Sequence, residues 1–311
     1  MKNATFRQLR VFNAVARHLS FAKAAAVLHV SAPAITMQIK ELEAEVGMPL
    51  FERQGRKVSL TTSGEYMLVY ARKMLALLKD AEDAAARLQR IETGKLTIGM
   101  VDTTTYFIPA LLSEFLKEHE GIELVLNVGN RRNLIEWLNN SEVDIAIMGR
   151  PPSEMSTRSE PFAANPLVFV ASPKHPLAGE RGLRAEDLRQ QSFIVREQGS
   201  GTRSAMEAFF NQARFQPHLT MELQSNDAIK QAVKANLGVS FLSQHTIALE
   251  LQTEQLCILD VNDTPMVRAW NVVHMLSKML SPAAEAFRYF ILEHAESYLA
   301  GQFGDVDQRR R

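Results

Sequence analysis

Three short loops in this sequence carry the groups that would hold an anion. Asp102-Thr103-Thr104-Thr105 follows the apolar run LTIGMV, and Gly129-Asn130-Arg131-Arg132 follows IELVLNV. Gly199-Ser200-Gly201-Thr202-Arg203 stands between SFIVREQ and a helical stretch. Hydroxyls donate hydrogen bonds, glycine-rich turns bare their backbone N–H groups, and a helix start adds a positive end. Arginine at a helix start runs against the dipole preference. A bound anion would account for it, and so would a surface salt bridge. Helix capping accounts for at least one of the threonines. The glycine loop is not a P-loop, because the lysine and the full spacing are missing. Together these loops predict a site for a small anionic effector, with phosphorylated compounds in range. No cofactor and no metal are expected.

A second set of residues has a different use. Ser20 to Gly47 reads as two short helices around a break at His29-Val30, with Ser20 and Ser31 as caps and Pro33 in a first turn. Ile35, Ile39, Leu42 and Val46 recur at helical spacing and mark a buried stripe. The other side carries Ala32, Pro33, Thr36, Met37 and Lys40, which are short, polar or flexible and suit a DNA major groove. Alanine-rich helix pairs also occur in ordinary bundles. The flank favours DNA: Leu50-Phe51 and Val58-Leu60 read as the strands of a small hairpin carrying Arg53, Arg56 and Lys57. Such a hairpin is the wing of a winged helix-turn-helix, and its cations can grip phosphates. A solvated turn is the plainer explanation of the same charges. Net charge over the whole chain is +0, yet residues 1–60 hold 9 Lys/Arg against 4 Asp/Glu, so the positive excess sits at this end.

The elements that must position these groups follow from periodicity. Phe6 to His18 reads as a supporting helix with Phe6, Leu9, Phe12, Val15 and Ala16 on one side. Thr62 and Glu65 have capping-box spacing, and a proline-free helical pattern runs from there to about Ile91. A helix that long needs a partner, and a second copy of itself is the economical one. The resulting homodimer would suit an interrupted palindrome in double-stranded DNA. From Lys95 the pattern becomes strands alternating with helices, starting with a βαβαβ unit. After the proline-containing stretch 151–166, LVFVAS starts a second run, with helices expected at 204–213, 227–236 and 245–251 and at 282–299. The tail after Gly301 is expected to be disordered.

Composition narrows the class. The single cysteine, Cys257, excludes internal disulfides and cysteine-rich zinc sites. No apolar run reaches bilayer length and MKNATFRQLR lacks a signal-peptide core, so a cytoplasmic protein with no membrane partner is expected. The eight histidines are scattered, and neither HExxH nor GxSxG occurs, which argues against an enzyme.

Residues 1 to about 65 resemble the N-terminal domain of LysR-type transcriptional regulators. The likeness is carried by FRQLRVFNAVARHLSFAKAAAVLHVSAPAITMQIKELEAEVGMPLFER, the wing and LTTSG. Relatives touch DNA through the positions of Pro33, Thr36 and Lys40. Ala32 and Met37 depart from the glutamine and arginine usual there, so base preference does not transfer. The α/β part resembles the two-lobed type 2 periplasmic-binding-protein fold that serves as this family's effector domain. The resemblance implies a winged helix-turn-helix at 1–61, a linker helix at 62–92 and an effector domain at 95–301. Lobe I would take about 95–165 and 267–301, and lobe II about 166–266. It further implies dimers paired into a homotetramer and RNA polymerase as a partner. NVGNR and GSGTR look more like the regulators of Calvin-cycle (RuBisCO operon) genes. Their effector would be a sugar phosphate, phosphoenolpyruvate or NADPH. Control of another metabolic operon is the alternative, with a transport-type binding module or an enzyme on the same fold further behind.

Overall fold

The computed structural model describes residues 4–54, 57–88 and 94–304, with side chains at all of these except 53, 54, 57, 80 and 83–88. The chain divides into two compact units, Met1–Gln89 and Arg90–Arg311.

The first unit begins with helices α1 (Phe6–His18), α2 (Phe21–Val27) and α3 (Ala32–Val46). Each is capped by a hydroxyl: Thr5 accepts from Gln8 N, Ser20 from Lys23 N and Ser31 from Ala34 N. Gly47 closes α3 at φ +79°, a conformation that a side chain would strain. Phe12, Val15, Ala24, Ile35 and Leu42 form a common core with Phe51. Phe51 sits on the hairpin β1 (Phe51–Gln54) and β2 (Lys57–Leu60) and packs its ring 5.4 Å from that of Phe12. Phe6 was expected on the buried side of α1 but is exposed, while Gln8 is buried and donates to Glu41 Oε2 at 3.0 Å.

Helix α4 (Thr62–Leu88) completes the unit. Its cap is Thr61 rather than Thr62. The Thr61 hydroxyl accepts from Gly64 N at 3.0 Å and donates to Pro49 O at 2.7 Å, tying the helix start to the wing. A Cβ at Gly64 would run into the Leu50 carbonyl, which is why the helix can pass so close. The expected continuation to Ile91 lies outside the described residues.

The second unit is two α/β lobes built on shared strands. Lobe I has the parallel strands β3 (Gly94–Val101), β4 (Ile122–Gly129) and β5 (Ile145–Met148), with α5 (Ile108–Glu118) and α6 (Arg131–Asn139) as crossovers. Two long strands, β6 (Thr157–Ala171) and β11 (Met266–Met275), run antiparallel to each other. β11 pairs with β5, whereas the far half of β6 pairs with β9 (Ser240–Ser243) and β10 (Cys257–Ile258). Lobe II adds the parallel pair β7 (Ser192–Arg196) and β8 (His218–Leu223), with α7 (Gly201–Gln212), α8 (Asn226–Lys234) and the short α9 (Ala248–Gln252). Helix α10 (Pro282–Phe303) returns to lobe I, where Phe287 and Ile291 join the core of Phe115 and Trp270.

Residues 157–166 of the stretch read as a proline-containing connection belong to strand β6, and the division expected at 165/166 falls just before Leu167–Ala171, which pair with β9 and β10. Pro161 is tolerated because it sits next to the register shift opposite Trp270/Asn271, where a missing N–H costs little. The helix expected at 245–251 is a 3-10 turn, Gln244–Thr246, followed by α9.

Candidate functional site: a nucleic-acid face and an interlobe cavity

In the first unit, Ile35, Ile39 and Leu42 are buried, and Val46 is half-buried. Burying that stripe turns Ser31, Ala32, Pro33, Met37 and Lys40 outward. Thr36 is half-buried and donates its hydroxyl to Ala32 O at 3.1 Å. The outward strip therefore offers one flexible thioether and one ammonium. Arg53 and Lys57 lie on the hairpin strands, and Glu43 supports its entry by accepting from Leu50 N and Phe51 N. Arg56 lies outside the described residues.

In the second unit, a cavity of about 480 Å³, counted with its open mouth, lies between the lobes. Thr103, Asn130 and Arg131 line it from lobe I, Ser200, Gly201 and Thr202 from lobe II, and Asn165, Arg268 and Trp270 from the crossing strands. All three predicted loops thus reach one place. Asn130 and Ser200 are N-caps of α6 and α7, so two helix starts face the same space.

Several predicted residues do other work. Thr104 and Thr105 donate to Val101 O and Asp102 O and hold a 3-10 turn, Asp102–Tyr106, and neither lines the cavity. Asp102 reaches the opposite lobe, accepting from Asn226 Nδ2 at 2.7 Å. Gly199 turns the chain at φ +89° before α7 and is likewise not in the lining. Arg131 donates Nε–H to Arg150 O at 3.1 Å and pairs with Glu154 at 3.5 Å, so the salt-bridge reading of that arginine is the observed one.

Arg203 is a correction. Its guanidinium is buried, pairs with Glu207 at 2.6 Å and Glu222 at 3.3 Å, and donates to Arg196 O at 3.0 Å. It is not among the residues that line the cavity. The signal was present as the i,i+4 arginine–glutamate spacing on α7.

Sequence reasoning missed Arg196, Arg268, Asn165 and Trp270, all carried by strands. Period-two alternation puts Arg268 and Trp270 on one face of β11, and a lone arginine beside a tryptophan in MVRAW was the available clue. Arg196 is buried and paired: Nε donates to Glu197 at 2.8 Å and Nη1 to Asn226 Oδ1 at 3.0 Å. Trp270 donates its indole N–H to His245 Nδ1 at 3.2 Å. Burial pulls the His245 imidazole down to about 4, so it is neutral and able to accept that proton.

A winged helix-turn-helix and, on the same chain, a two-lobed α/β unit with a polar interlobe cavity define a DNA-binding regulator with its own sensing domain. Comparison with known proteins agrees. Residues 6–65 match the bacterial regulatory helix-turn-helix protein, lysR family, and residues 89–296 match the LysR substrate binding domain. The chain belongs to the LysR family of transcriptional regulators, and it is not an enzyme. It is 45% identical over 311 residues to the HTH-type transcriptional regulator CfxR of Cupriavidus necator, covering 100% of this chain and 98% of that one. It is 45% identical over 293 residues to the RuBisCO operon transcriptional regulator of Allochromatium vinosum, covering 94% and 97%. Among solved structures, the Synechocystis PCC6803 CcmR regulatory domain in complex with 2-PG is 38% identical, with a TM-score of 0.62, over 64% of this chain and 96% of that one. Among the described residues, no helix is long and apolar enough to cross a membrane.

Proposed function

We propose that this protein controls carbon-fixation (RuBisCO/Calvin-cycle) genes and does so in response to a small anionic metabolite held between the lobes of its second unit. The observation that carries the sensing half is the cavity, which two helix starts, Thr103, Thr202 and Arg268 line together. Relatives named for the RuBisCO operon and a relative's complex with 2-PG support the choice of genes and of an anion. The DNA half uses the outward strip of α3, with Lys40 on phosphate and Pro33, Thr36 and Met37 near base edges, and the wing cations Arg53, Arg56 and Lys57 on the flanking backbone. The working form is a cytoplasmic homodimer through α4, paired into a tetramer, on an interrupted palindrome near RNA polymerase. Effector binding changes the balance between two assembly states by differential affinity.

The test is mobility shift and footprinting on the protein's own upstream region, with and without 2-PG. Sequence-specific protection whose pattern 2-PG alters is the expected result. Lys40→Ala should weaken binding to all sequences alike and lower the slope of log affinity against log salt by about one contact. Absence of a specific shift by folded protein would refute the reading.

A further inference from the structure

Burial of Ile35, Ile39 and Leu42 leaves α3 one face turned to solvent, which carries Ala32, Pro33, Thr36, Met37 and Lys40. Among the described residues of that face, none from Ala32 to Met37 has a side-chain proton free to donate. Ala32, Pro33 and Met37 have no such proton at all. The Thr36 hydroxyl spends its proton on Ala32 O at 3.1 Å. Gln38, on the flank, is half-buried, and its Nε2 donates to Glu41 Oε2 at 3.1 Å, the oxygen that also binds Gln8. Met37 is 55% exposed and is the largest apolar group of the strip. Lys40, further along the helix, is its cation.

A recognition helix meets base edges with its N-terminal residues. In the major groove those edges are hydrogen-bond donors and acceptors, with a single apolar exception, the C5-methyl of thymine. A thioether laid on an amino or carbonyl edge takes water from a polar group and returns no hydrogen bond. Laid on a methyl, it removes water from two apolar surfaces at once. Three rotatable bonds and a polarisable sulfur let methionine settle on a group of that shape. Lys40 adds charge to the same face, but phosphate contacts alone carry no sequence information.

We propose that Met37 is a specificity-determining residue of this protein: it selects thymine, by its methyl group, at the base pair that it faces. This rests on the reading of α3 given above and narrows it to one base and one kind of contact.

The experiment uses the full chain and the site it protects in its own upstream region. Each thymine of that site is replaced in turn by deoxyuridine, which pairs identically and lacks only the methyl. Affinities are measured by mobility shift for wild type, Met37→Ala, Met37→Leu and Met37→Arg, with circular dichroism to establish that each is folded. In wild type, demethylating one thymine in each half-site should weaken binding about three- to tenfold, the worth of one buried methyl contact. Met37→Ala should bind the thymine and deoxyuridine duplexes alike at that position, while its response to every other thymine stays as in wild type. Met37→Leu, which keeps an apolar side chain of similar size, should keep the discrimination. Met37→Arg should move the preference there to guanine, whose O6 and N7 a guanidinium takes together. A deoxyuridine scan that is the same in wild type and Met37→Ala overturns this assignment, and it leaves the reading of α3 standing where Lys40→Ala still weakens binding. No sequence-specific shift by folded wild type overturns that reading, and the assignment with it.

Discussion

The Tyr106 hydroxyl donates to Asp227 Oδ1 at 2.7 Å, and that bond joins the two lobes. Tyr106 ends the 3-10 turn of lobe I, and Asp227 stands in the first turn of α8 in lobe II. Lys230, one turn on, pairs with Asp227 at 3.0 Å and Glu250 at 3.1 Å and lies 4.6 Å from the centre of the Tyr106 ring. Beside it, Asp102 accepts from Asn226 N at 3.2 Å and from Asn226 Nδ2. One turn of lobe I thus meets one helix start of lobe II through two acid-centred contacts, on the same turn that presents Thr103 to the cavity.

Tyr106→Phe removes one of those contacts without changing the ring that covers Lys230. The bond is close to solvent, so its net worth is about 1 kcal/mol or less, and amide exchange at the α8 start should quicken by up to about fivefold. The Tyr106 hydroxyl first, and Lys230 second, hold the Asp227 carboxyl below its ordinary range. A carboxylate so depressed stabilises the fold above its unfolded value near 4 and loses that contribution as pH falls through the folded value. Tyr106→Phe should therefore raise the Asp227 titration seen by carbon-detected NMR. An unchanged Asp227 titration and unchanged exchange would remove the bond from the account.

His245 sets a second pH dependence, with its own window. Its folded value of about 4 lies below the unfolded value of about 6.5, because burial disfavours the imidazolium. The unfolded chain then binds more protons between these values, so stability is complete above about 6.5 and declines as pH falls toward 4. The decline attributable to this group is on the order of 3 kcal/mol. His245→Gln, which keeps an acceptor for the Trp270 N–H but cannot titrate, should flatten the urea midpoint over that interval. A midpoint that still falls as steeply in the variant would assign the slope elsewhere.

The sequence made the apolar stripes, the caps and the turn chemistry legible, and with them the elements. Ile35, Ile39 and Leu42 are buried as their spacing requires, and Ser20 and Ser31 accept the amides that caps accept. Backbone placement of the three effector loops followed from the same signals. Side-chain direction did not. Thr104 faces Val101 O rather than the cavity, and Arg203 turns to Glu207, because short-range partners compete with any ligand and win when they are one turn away. The cavity residues that were missed come from strands that neighbour each other only in three dimensions, as Asn165 and Arg268 do across a separation of about a hundred positions. The continuity of β6 was hidden because Pro161 and Pro166 read locally as breaks, and the first is tolerable because it flanks the bulge at Phe162.

Arg203 gives a prediction opposite to the one its loop position invites. Its guanidinium is buried beside the Arg196 carbonyl, and Arg203→Ala would leave that carbonyl and two glutamates without their donor. The expected outcome is a loss of about 1–3 kcal/mol in unfolding free energy, with the acids' partial exposure keeping it toward the lower end. Affinity for methyl phosphate in the surviving folded fraction should be unchanged. Stability equal to wild type together with lost anion binding would restore Arg203 to the ligand site.

Helix α4 tests the assembly. Tyr66 at 70%, Tyr70 at 60% and Leu77 at 69% exposure stand four and seven residues apart, which places them along one side of the helix with Val69 beside them. Large apolar side chains repeated along one helix face are unfavourable in water and mark a contact surface. With a second copy as the partner, two recognition helices would be set at a fixed spacing on DNA. Leu77→Glu and Tyr70→Glu put a charge into that seam. Sedimentation should show the wild-type assembly reduced to smaller species, while the far-ultraviolet circular dichroism is retained. Affinity for a full palindrome should drop toward that for a single half-site, since the gain from simultaneous engagement disappears. If both variants sediment as wild type does and still favour the full palindrome, the seam lies on other residues, and the exposed stripe of α4 has to be explained by a different partner.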